Sequence, residues 1–508
     1  MQRLRADVRL PSGGHRPSAV ASVSTLDQTN HAPQRVQFTS PRLNAWRQSL
    51  VVHRLHLTIG RPASRGSAPL PQRAGPHEWQ TRAAQAARVF TGGWRDVMKS
   101  ESISIATTAS GAGVSFSREE RERHLYIVGK SGSGKSTFLF NLAMGDISRG
   151  EGVAVIDPHG DLALDILDAI PRSRINDVCY LDVTDTERPV GFNPATRITP
   201  ERRALAAAGI VSAFKHLWSD SWGPRLEHFL YHGVAALISR RHATLIDLPR
   251  LYTNDNFRER VLHSVTDPES IRFWRDEFPN YTKSFRAEAV APILNKAGQF
   301  TASPQLRLIL GQLAPRLDLA FTMNHRRILI ANLAKGAIGE QASNLLGSLL
   351  VSHLQLVAME RGSLPPHQRI PFFVHVDEFQ SFSSEAFATL LSEARKFATH
   401  FALANQYTDQ LSLPVRSAVI GNAGSLVIFR VGSRDSELLA PEFRSMEDGA
   451  LADQEPFTAW LRRGIGHHRI VAEPRLYPPL DTGEAIRKQS RQRFGRQRRD
   501  IDKSAREL

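Results

Sequence analysis

The stretch "HLYIVGKSGSGKST" (residues 124–137) places a Gly-rich loop between an apolar run and a candidate helix. The loop matches the pattern G-x-x-x-x-G-K-[S/T] at Gly129, Gly134, Lys135 and Ser136. Several backbone N–H groups must point at one anion in such a loop. Glycines permit that curvature, and the helix N-terminus adds partial positive charge. The stretch therefore predicts a phosphate-binding strand–loop–helix unit.

This loop supplies the first candidate site residues. Lys135 is expected to reach the β- and γ-phosphates of ATP, and the Ser136 hydroxyl to ligate Mg²⁺. The predicted nucleotide-binding residues are Gly129, Lys130, Ser131, Gly132, Ser133, Gly134, Lys135, Ser136 and Thr137.

Short Val/Ile-rich runs follow the loop and alternate with helical segments, which is typical of a parallel sheet covered on both faces. The runs are "GVAVID" (152–157), "VCYLDV" (178–183), "RRILIANLA" (326–334), "IPFFVHVDEF" (370–379), "HFALANQ" (400–406) and "AGSLVIFRVG" (423–432). Helical spacing replaces this rhythm between about 200 and 325. We therefore expect an all-helical subdomain inserted into an α/β unit.

The strand in "FFVHVDEF" (372–379) ends in an acidic pair, Asp377 and Glu378. A phosphate loop needs a carboxylate on a neighbouring strand to hold Mg²⁺, and hydrolysis needs a base for the attacking water. We assign the metal to Asp377, with Ser136, and the base to Glu378. An acidic pair after a strand is also a common helix start, but no other apolar strand in the chain ends in Asp-Glu. The added glutamate is typical of RecA-like ATPases, so the predicted fold class is an α/β, RecA-like P-loop NTPase with a mostly parallel sheet.

Three further polar residues, Arg395, Lys396 and Gln406, follow the acidic pair in "SEARKFATHFALANQ" (392–406). Gln406 ends a strand, and it lies near the γ-phosphate if that strand neighbours the phosphate-loop strand. The alternative is a strand end that faces water. Arg395 and Lys396 lie in the last turn of a helix, where a favourable interaction with the helix dipole accounts for them on sequence grounds alone.

Eight motifs occur in an order that resembles one family. They are "HLYIVGKSGSGKST", "GVAVIDPHGDL", "GFNPA", "WGPRLEHFL", "ILIANLAKGAIGE", "VDEF", "SEARKF" and "ANQYTDQL". The set resembles the bacterial type IV secretion and conjugation coupling proteins, TraG/TraD-like ATPases related to the HerA and FtsK translocases, over roughly residues 98–500. The resemblance implies an Mg²⁺-dependent ATPase that pumps DNA through an oligomeric ring, usually a hexamer. It also implies that Arg395 acts across the subunit interface as an arginine finger and that Gln406 senses the nucleotide.

The chain departs from this family in its ends and its charge. The best-known coupling proteins carry N-terminal transmembrane helices, whereas no apolar run here reaches the ~18–20 residues of a membrane span. The candidate "NLLGSLLVSHLQLVAM" (344–359) is interrupted by polar residues and is predicted to be a buried helix. The single cysteine, Cys179, excludes an internal disulfide and favours a reducing compartment. We expect a cytoplasmic protein, recruited to the inner membrane through partners such as a relaxase or a secretion channel.

The net charge of +15 lies at the two ends of the chain. Residues 1–97 hold 14 Arg and 4 acidic residues, and residues 484–508 hold 9 basic and 4 acidic residues. Residues 98–483 are therefore neutral, and any DNA channel there must be basic locally. The predicted divisions are an N-terminal extension (1–97), a first ATPase part (98–199), the helical insertion (200–325), a second ATPase part (326–483) and a basic tail (484–508).

Some positions keep two interpretations. Residues 1–97 are either a disordered extension or the product of a start assigned ahead of Met98. Lys335 either contacts phosphate or DNA or lies in an ordinary loop. Arg225 is a helix-start residue or has a role at the nucleotide or the interface. The tail, with Phe494 among many bases, either contacts nucleic acid or is a solvated helix.

Three functions remain open at this point. The first is a coupling-protein-type DNA translocase. The second is a HerA-like DNA-processing or packaging motor with the same chemistry and a different partner. The third is a nucleotide-gated scaffold that recruits secretion substrates through its helical domain without pumping DNA.

Overall fold

The computed structural model describes residues 102–108, 110–444, 446–447 and 449–506. The predicted N-terminal extension, 1–97, and Met98 lie outside the described residues.

Eleven described strands form one sheet. In chain order the strands are β1 Ser102–Thr108, β2 Gly113–Ser117, β3 Leu125–Val128, β4 Gly152–Asp157, β5 Val178–Asp182, β6 Ile328–Asn332, β7 Phe372–Val376, β8 Thr399–Asn405, β9 Ser425–Phe429, β10 Thr458–Arg463 and β11 Gly466–Ala472. Across the sheet the order is β2-β1-β11-β10-β9-β3-β8-β7-β4-β6-β5. The seven strands from β9 to β5 run parallel, and the remaining four are antiparallel to their neighbours.

Helices lie on both sides of this sheet. Before β6 they are α1 Arg118–Arg121, α2 Lys135–Ser148, α3 Asp161–Ala169, α4 Arg203–Leu217, α5 Pro224–Ser239, α6 Leu248–Thr253, α7 Asp255–Leu262, α8 Pro268–Arg272, α9 Phe278–Asn280, α10 Lys283–Ala302, α11 Pro304–Leu310 and α12 Leu319–Asn324. After β6 they are α13 Lys335–Ile338, α14 Glu340–Glu360, α15 Glu385–Glu393, α16 Leu413–Asn422, α17 Ser433–Leu439, α18 Gly483–Arg493 and α19 Arg498–Arg506.

The phosphate-loop strand β3 lies inside the parallel part, between β8 and β9. Its four residues are all buried. Leu125 and Ile127 pack into the core on the α2 face, and Tyr126 and Val128 pack into the core on the opposite face. Because side chains alternate along a strand, an apolar run buried on both faces belongs in the interior of a sheet.

The helices α4–α12 lie between β5 and β6 in the chain, where helical spacing predicted an insertion. Helix α4 packs along α14 and α5. Aromatic side chains such as Phe229, Phe273 and Trp274 are buried in a core that is continuous with the Tyr126 face of the sheet. The inserted helices therefore share their core with the sheet domain.

The basic segment after residue 484 forms α18 and α19. Ile486 is fully buried, and the Tyr180 N–H on β5 donates to Ser490 Oγ at 2.8 Å. Helix α18 thereby covers the β5 edge of the sheet.

One helix among the described residues, Glu340–Ser363, is long and apolar enough to cross a membrane. Its apolar window is 67% buried inside the fold. The stretch 344–359 is thus a buried helix, as predicted.

Candidate functional site

The phosphate loop connects β3 to α2 in a conformation that requires glycine at two places. Gly134 has a φ of +114°, in the region that side chains rarely adopt, and it immediately precedes Lys135, the first residue of α2. A Cβ on Gly129 would lie 2.6 Å from the Cβ of Phe429 on β9, so only hydrogen fits there. The loop is also tied to its neighbours, since the Lys130 N–H donates to Arg430 O at 2.8 Å.

Lys135 points back into the loop. Its Nζ donates to Gly129 O at 2.6 Å and to Lys130 O at 3.3 Å, and the residue is 5% exposed. Both partners are neutral carbonyl groups. Burial lowers the pKa of the ammonium, and the negative charges of Asp377 and Glu378 partly oppose that shift. A buried cation held by carbonyls at the mouth of a Gly-rich loop is suited to an incoming anion.

Asp377 follows β7 directly and faces the start of α2. Its Oδ2 accepts from Ser136 Oγ at 3.5 Å, and its backbone N–H donates to Ile156 O on β4 at 3.1 Å. The pKa of Asp377 is raised to about 7 by burial, then by the charges of Asp157 and Glu378, while Lys135 acts in the opposite direction. The two residues assigned to Mg²⁺ from the sequence therefore lie side by side.

Asp157, at the end of β4, is the nearby carboxylate that sequence analysis did not assign. It is fully buried, and its oxygens accept from the backbone N–H groups of His159 at 2.8 Å and Ala163 at 2.9 Å. These bonds fix the turn into α3. Asp157 thus has a structural role, and it also raises the pKa of Asp377.

Glu378 is held by two amides. Gln406 Nε2 donates to one carboxylate oxygen at 2.8 Å, and Gln380 Nε2 donates to the other at 2.5 Å. The Glu378 backbone is left-handed, with φ 46° and ψ 50°, and the residue is 7% exposed. A non-glycine residue in this region often marks a functional site, because the surrounding structure must offset the strain.

Gln380 was not assigned from the sequence. It lies in the short 3₁₀ turn Phe379–Ser381 that follows the acidic pair, so the amide in "VDEFQ" was the available signal. The 3₁₀ turn brings the Gln380 amide to Glu378, and the sequence pattern does not predict this turn.

Gln406 is placed by β8, which pairs in parallel with β3 on one side and β7 on the other. Val128 is paired with Asn405, so the end of β8 lies level with the start of the phosphate loop. The predicted position of Gln406 near the γ-phosphate required β8 to be a neighbour of β3. The two strands are neighbours in the sheet. Gln406 is half-buried between the phosphate loop and the acidic pair.

Arg395 lies elsewhere. It is exposed in a 3₁₀ turn, Ala394–Phe397, that precedes β8 at the opposite edge of the sheet from Gln406. The seven residues of β8 span about 20 Å at ~3.3 Å per residue. Arg395 therefore does not join the site of its own chain.

The two weaker candidates have local partners. Arg225 pairs with Glu288 at 2.9 Å and stacks over Phe285 at 4.7 Å, which accounts for it within the inserted helices. Lys335 begins α13 after the carboxyl end of β6, and its backbone N–H donates to Pro158 O at 2.7 Å.

Solved structures share this fold. The plasmid coupling protein TrwB in complex with ADP and Mg²⁺ aligns with a TM-score of 0.55 at 16% identity, over 77% of this chain and 94% of that chain. TrwB with a non-hydrolysable ATP analogue aligns with a TM-score of 0.52 at 17% identity, over 76% and 91%. VirB4 of Thermoanaerobacter pseudethanolicus aligns with a TM-score of 0.53 at 14% identity, over 76% and 99%.

At these identities the likeness concerns the fold. It confirms the predicted α/β class and, at the level of fold, the resemblance to coupling proteins drawn from the motifs. No protein-family model matches the sequence, and no curated protein matches it.

Proposed function

We propose that this chain is an Mg²⁺-dependent ATPase. The observation that carries the proposal is the convergence of polar groups at the carboxyl ends of three adjacent strands. Lys135 follows β3, Gln406 follows β8 and the Asp377–Glu378 pair follows β7. Ligands of open α/β sheets bind at this edge.

The residues present fit ATP and Mg²⁺. The Lys135 ammonium, buried among carbonyls, suits the β- and γ-phosphates. Ser136 Oγ and Asp377 Oδ2, 3.5 Å apart, suit a hard cation that prefers oxygen ligands. Ser136 and Asp377 would hold Mg²⁺, which would supply positive charge to offset the negative charge of the triphosphate. TrwB, which shares the fold, has been solved with ADP and Mg²⁺.

Glu378 is the proposed base. Two side-chain N–H groups, from Gln406 and Gln380, donate to its carboxylate oxygens and orient them. A carboxylate has about four lone-pair sites, so these two bonds leave room for water to donate to it, and each amide donor makes it a weaker base. Gln406 also borders the phosphate loop. In this proposal it senses the γ-phosphate: its amide exchanges the hydrogen bond to Glu378 for one to the nucleotide.

The finer proposal is a DNA translocase of the conjugative coupling type. It rests on the ordered motifs and on the fold shared with TrwB and VirB4. In this proposal the chains form a ring, likened to the hexamers of the family, and Arg395 completes the site of the next subunit. Its exposure and its distance from its own phosphate loop favour a role in trans. The proposed location is the cytoplasm, with attachment to the inner membrane through a relaxase or secretion-channel partner.

The ATPase proposal is tested by phosphate release with and without Mg²⁺. Lys135→Ala is expected to abolish nucleotide binding and turnover, whereas Lys283→Ala, which changes an exposed lysine at the start of α10, leaves both unchanged. Turnover that survives in Lys135→Ala, or that persists in EDTA, contradicts the proposal.

Displacement of a third strand from a DNA triplex distinguishes a motor from a nucleotide-gated scaffold. A translocase displaces the strand in the presence of ATP and fails to do so with a non-hydrolysable analogue. Hydrolysis without displacement favours the scaffold. A HerA-like motor passes the same assay and differs in its partner, so a nuclease rather than a relaxase co-purifies with it.

A further inference from the structure

Phe457 is an exposed aromatic residue beside the phosphate loop. The residue is 45% exposed, and its backbone has a φ of +63°, an unfavourable conformation for a bulky side chain. It lies in the turn that enters β10, whose first residues pair with the end of β9 at the ligand edge of the sheet. An exposed, strained aromatic residue at this edge calls for an explanation beyond packing.

The backbone of Phe457 is held on both sides. Its N–H donates to Ser133 O in the phosphate loop at 2.8 Å, and its carbonyl accepts from the Ala472 N–H on β11 at 2.8 Å. The ring rests against the loop, since a Cβ on Gly134 would lie 3.0 Å from Phe457 Cδ1. The backbone is therefore held by two hydrogen bonds, and the ring lies against Gly134, the residue before Lys135, while the residue stays 45% exposed.

A second phenylalanine already packs this part of the loop from below. Phe429 is fully buried, and its ring meets that of Phe138 edge-on at 5.9 Å. A Cβ on Gly134 would also lie 3.1 Å from Phe429 Cε1. Because Phe429 fills the core under the loop, the exposed face of Phe457 is not needed for that packing.

Phe457 and the acidic pair lie on opposite sides of the phosphate-loop strand β3. On one side of β3 lie β8 and β7, which carry Gln406 and the Asp377–Glu378 pair. On the other side lie β9 and β10, where Phe457 stands. A nucleoside triphosphate whose terminal phosphate faces the acids therefore extends its nucleoside toward Phe457.

We propose that the exposed face of the Phe457 ring is the stacking surface for the nucleobase of the bound nucleotide. The inference rests on the proposed function and adds the base subsite to it. Stacking uses the π-face that every base offers, and alanine substitution of an aromatic partner weakens binding about 5- to 150-fold per base in nucleic-acid complexes. The subsite is thus expected to hold purines without strict discrimination.

The test compares ADP with pyrophosphate, which differ by the nucleoside and are not substrates for γ-phosphate cleavage. Dissociation constants are measured by calorimetry with Mg²⁺ on the full chain. In Phe457→Ala the affinity for ADP is expected to fall about tenfold, which corresponds to ~1.4 kcal/mol. The affinity for pyrophosphate is expected to stay within about twofold.

Two further variants separate stacking from a structural effect. Phe457→Tyr keeps the ring and is expected to bind ADP like the wild type. Ile465→Ala removes a side chain that is 78% exposed at the far end of the same hairpin, and it is expected to change neither ligand. Equal losses for ADP and pyrophosphate in Phe457→Ala, or no loss for either, overturn the proposal. A wild-type chain that binds pyrophosphate and not ADP overturns the base subsite alone, whereas one that binds neither overturns the ATPase proposal as well.

Discussion

At the scale of single residues, Glu378 is the centre of the proposed chemistry. Its carboxylate accepts two amide hydrogen bonds, from Gln406 and Gln380, and its backbone is strained. Gln406 lies beside the phosphate loop and could hydrogen-bond a nucleotide instead of Glu378. Gln380 lies in the 3₁₀ turn that follows Glu378. The two amides should therefore affect turnover differently.

Gln380→Ala removes a restraint on the base. We expect basal ATP turnover to rise about tenfold, because a hydrogen bond to a charged group contributes at least ~1.5 kcal/mol and its loss makes the carboxylate a stronger base. Steady-state phosphate release measures the effect, and Ser381→Ala, in the same turn, is the matched control. A fall in kcat with unchanged KM would instead assign Gln380 to the active arrangement of the site.

The raised pKa of Asp377 gives a prediction for stability. The ordinary pKa of an aspartate is 3.8, and in the fold this one is about 7, so between these values the folded chain binds a proton that the unfolded chain does not. Stability from this group is therefore full below the lower value and is lost as the pH rises through 7. Asp377→Asn, which stays neutral, should gain in melting temperature over the wild type at about pH 8.5 and gain much less at about pH 4.5, where most of this contribution is still present.

This comparison is made in EDTA and without nucleotide, so that no bound cation offsets the charge. Titrating groups that do not interact with Asp377 are common to both proteins and cancel in the difference. A difference in melting temperature that is the same at both pH values would contradict the assigned pKa.

At the scale of elements, a buried ionic cluster joins the phosphate-loop helix to the acidic strand. Arg121 on α1 pairs with Asp146 on α2, and Asp146 also bonds His375 on β7 at 3.0 Å. Burial and the nearby Arg121 charge lower the pKa of His375 to about 3, so the imidazole is neutral. Arg121 is thus the cation that compensates Asp146.

Arg121→Met keeps the aliphatic stem and removes that charge. We expect the free energy of unfolding to fall by about 3 kcal/mol, because one partner of a buried pair is left uncompensated. Arg498→Met, which removes one partner of the exposed Arg498–Asp502 pair, should change it by less than about 1 kcal/mol. Urea denaturation measures both, and equal small changes would show that the cluster contributes little.

The elements that carry the site were predictable because they are short strands whose residues are all buried. The runs that became β3, β7 and β8 are buried on both faces, and each ends in polar residues at the ligand edge. The antiparallel strands β1, β2, β10 and β11 were not predicted. Their residues are partly exposed and mixed in polarity, as in "TAWLRR" and "GHHRIVA", and their pairing joins residues far apart in the chain. Phe457 lies at the start of β10, which is why its place beside the loop could not be found from the sequence.

At the scale of the whole molecule, substitutions of Arg395 test the proposed ring of subunits. Its predicted place, the last turn of a helix, is a 3₁₀ turn after α15, about 20 Å from its own site. No pattern within one chain specifies a neighbouring subunit, so this role came from family resemblance alone.

Rings of Arg395→Ala are expected to lose about 1,000-fold in turnover, since an arginine finger supplies at least that much. The matched control is Lys396→Ala, which changes the exposed lysine next to Arg395 and should keep wild-type turnover. Steady-state phosphate release measures both variants. Equal turnover in the two variants would argue against a catalytic role for the arginine.

Mixing subunits separates a role in trans from a structural role. Lys135→Ala subunits lack the phosphate-loop lysine and keep Arg395, whereas Arg395→Ala subunits have the reverse. Mixed rings then contain sites with both groups, one from each chain, and should recover part of the turnover. Mixed assemblies that form and stay inactive would argue against a finger at this position.

The charge distribution also belongs to this scale. Residues 98–483 are neutral overall, and the basic helix α18 is docked on the β5 edge with Ile486 and Ser490 buried. A nucleic-acid contact of this segment stays a prediction, since two of its bases, Arg491 and Arg493, already contact Asp185 and Asn176 O. Composition located the charge, but it did not indicate that this segment packs against the sheet, because the three buried residues of α18 include one large apolar side chain, Ile486, and do not form a pattern.

The central claim is that Glu378 is the base for ATP hydrolysis and that DNA stimulates this hydrolysis. Steady-state ATP turnover with and without DNA tests it most directly. We predict that DNA raises turnover in the wild type. We also predict that Glu378→Gln lowers turnover about 100-fold or more, with or without DNA, and leaves nucleotide affinity within about twofold. Turnover that is indifferent to both single- and double-stranded DNA, or that persists in Glu378→Gln, would contradict this coupling.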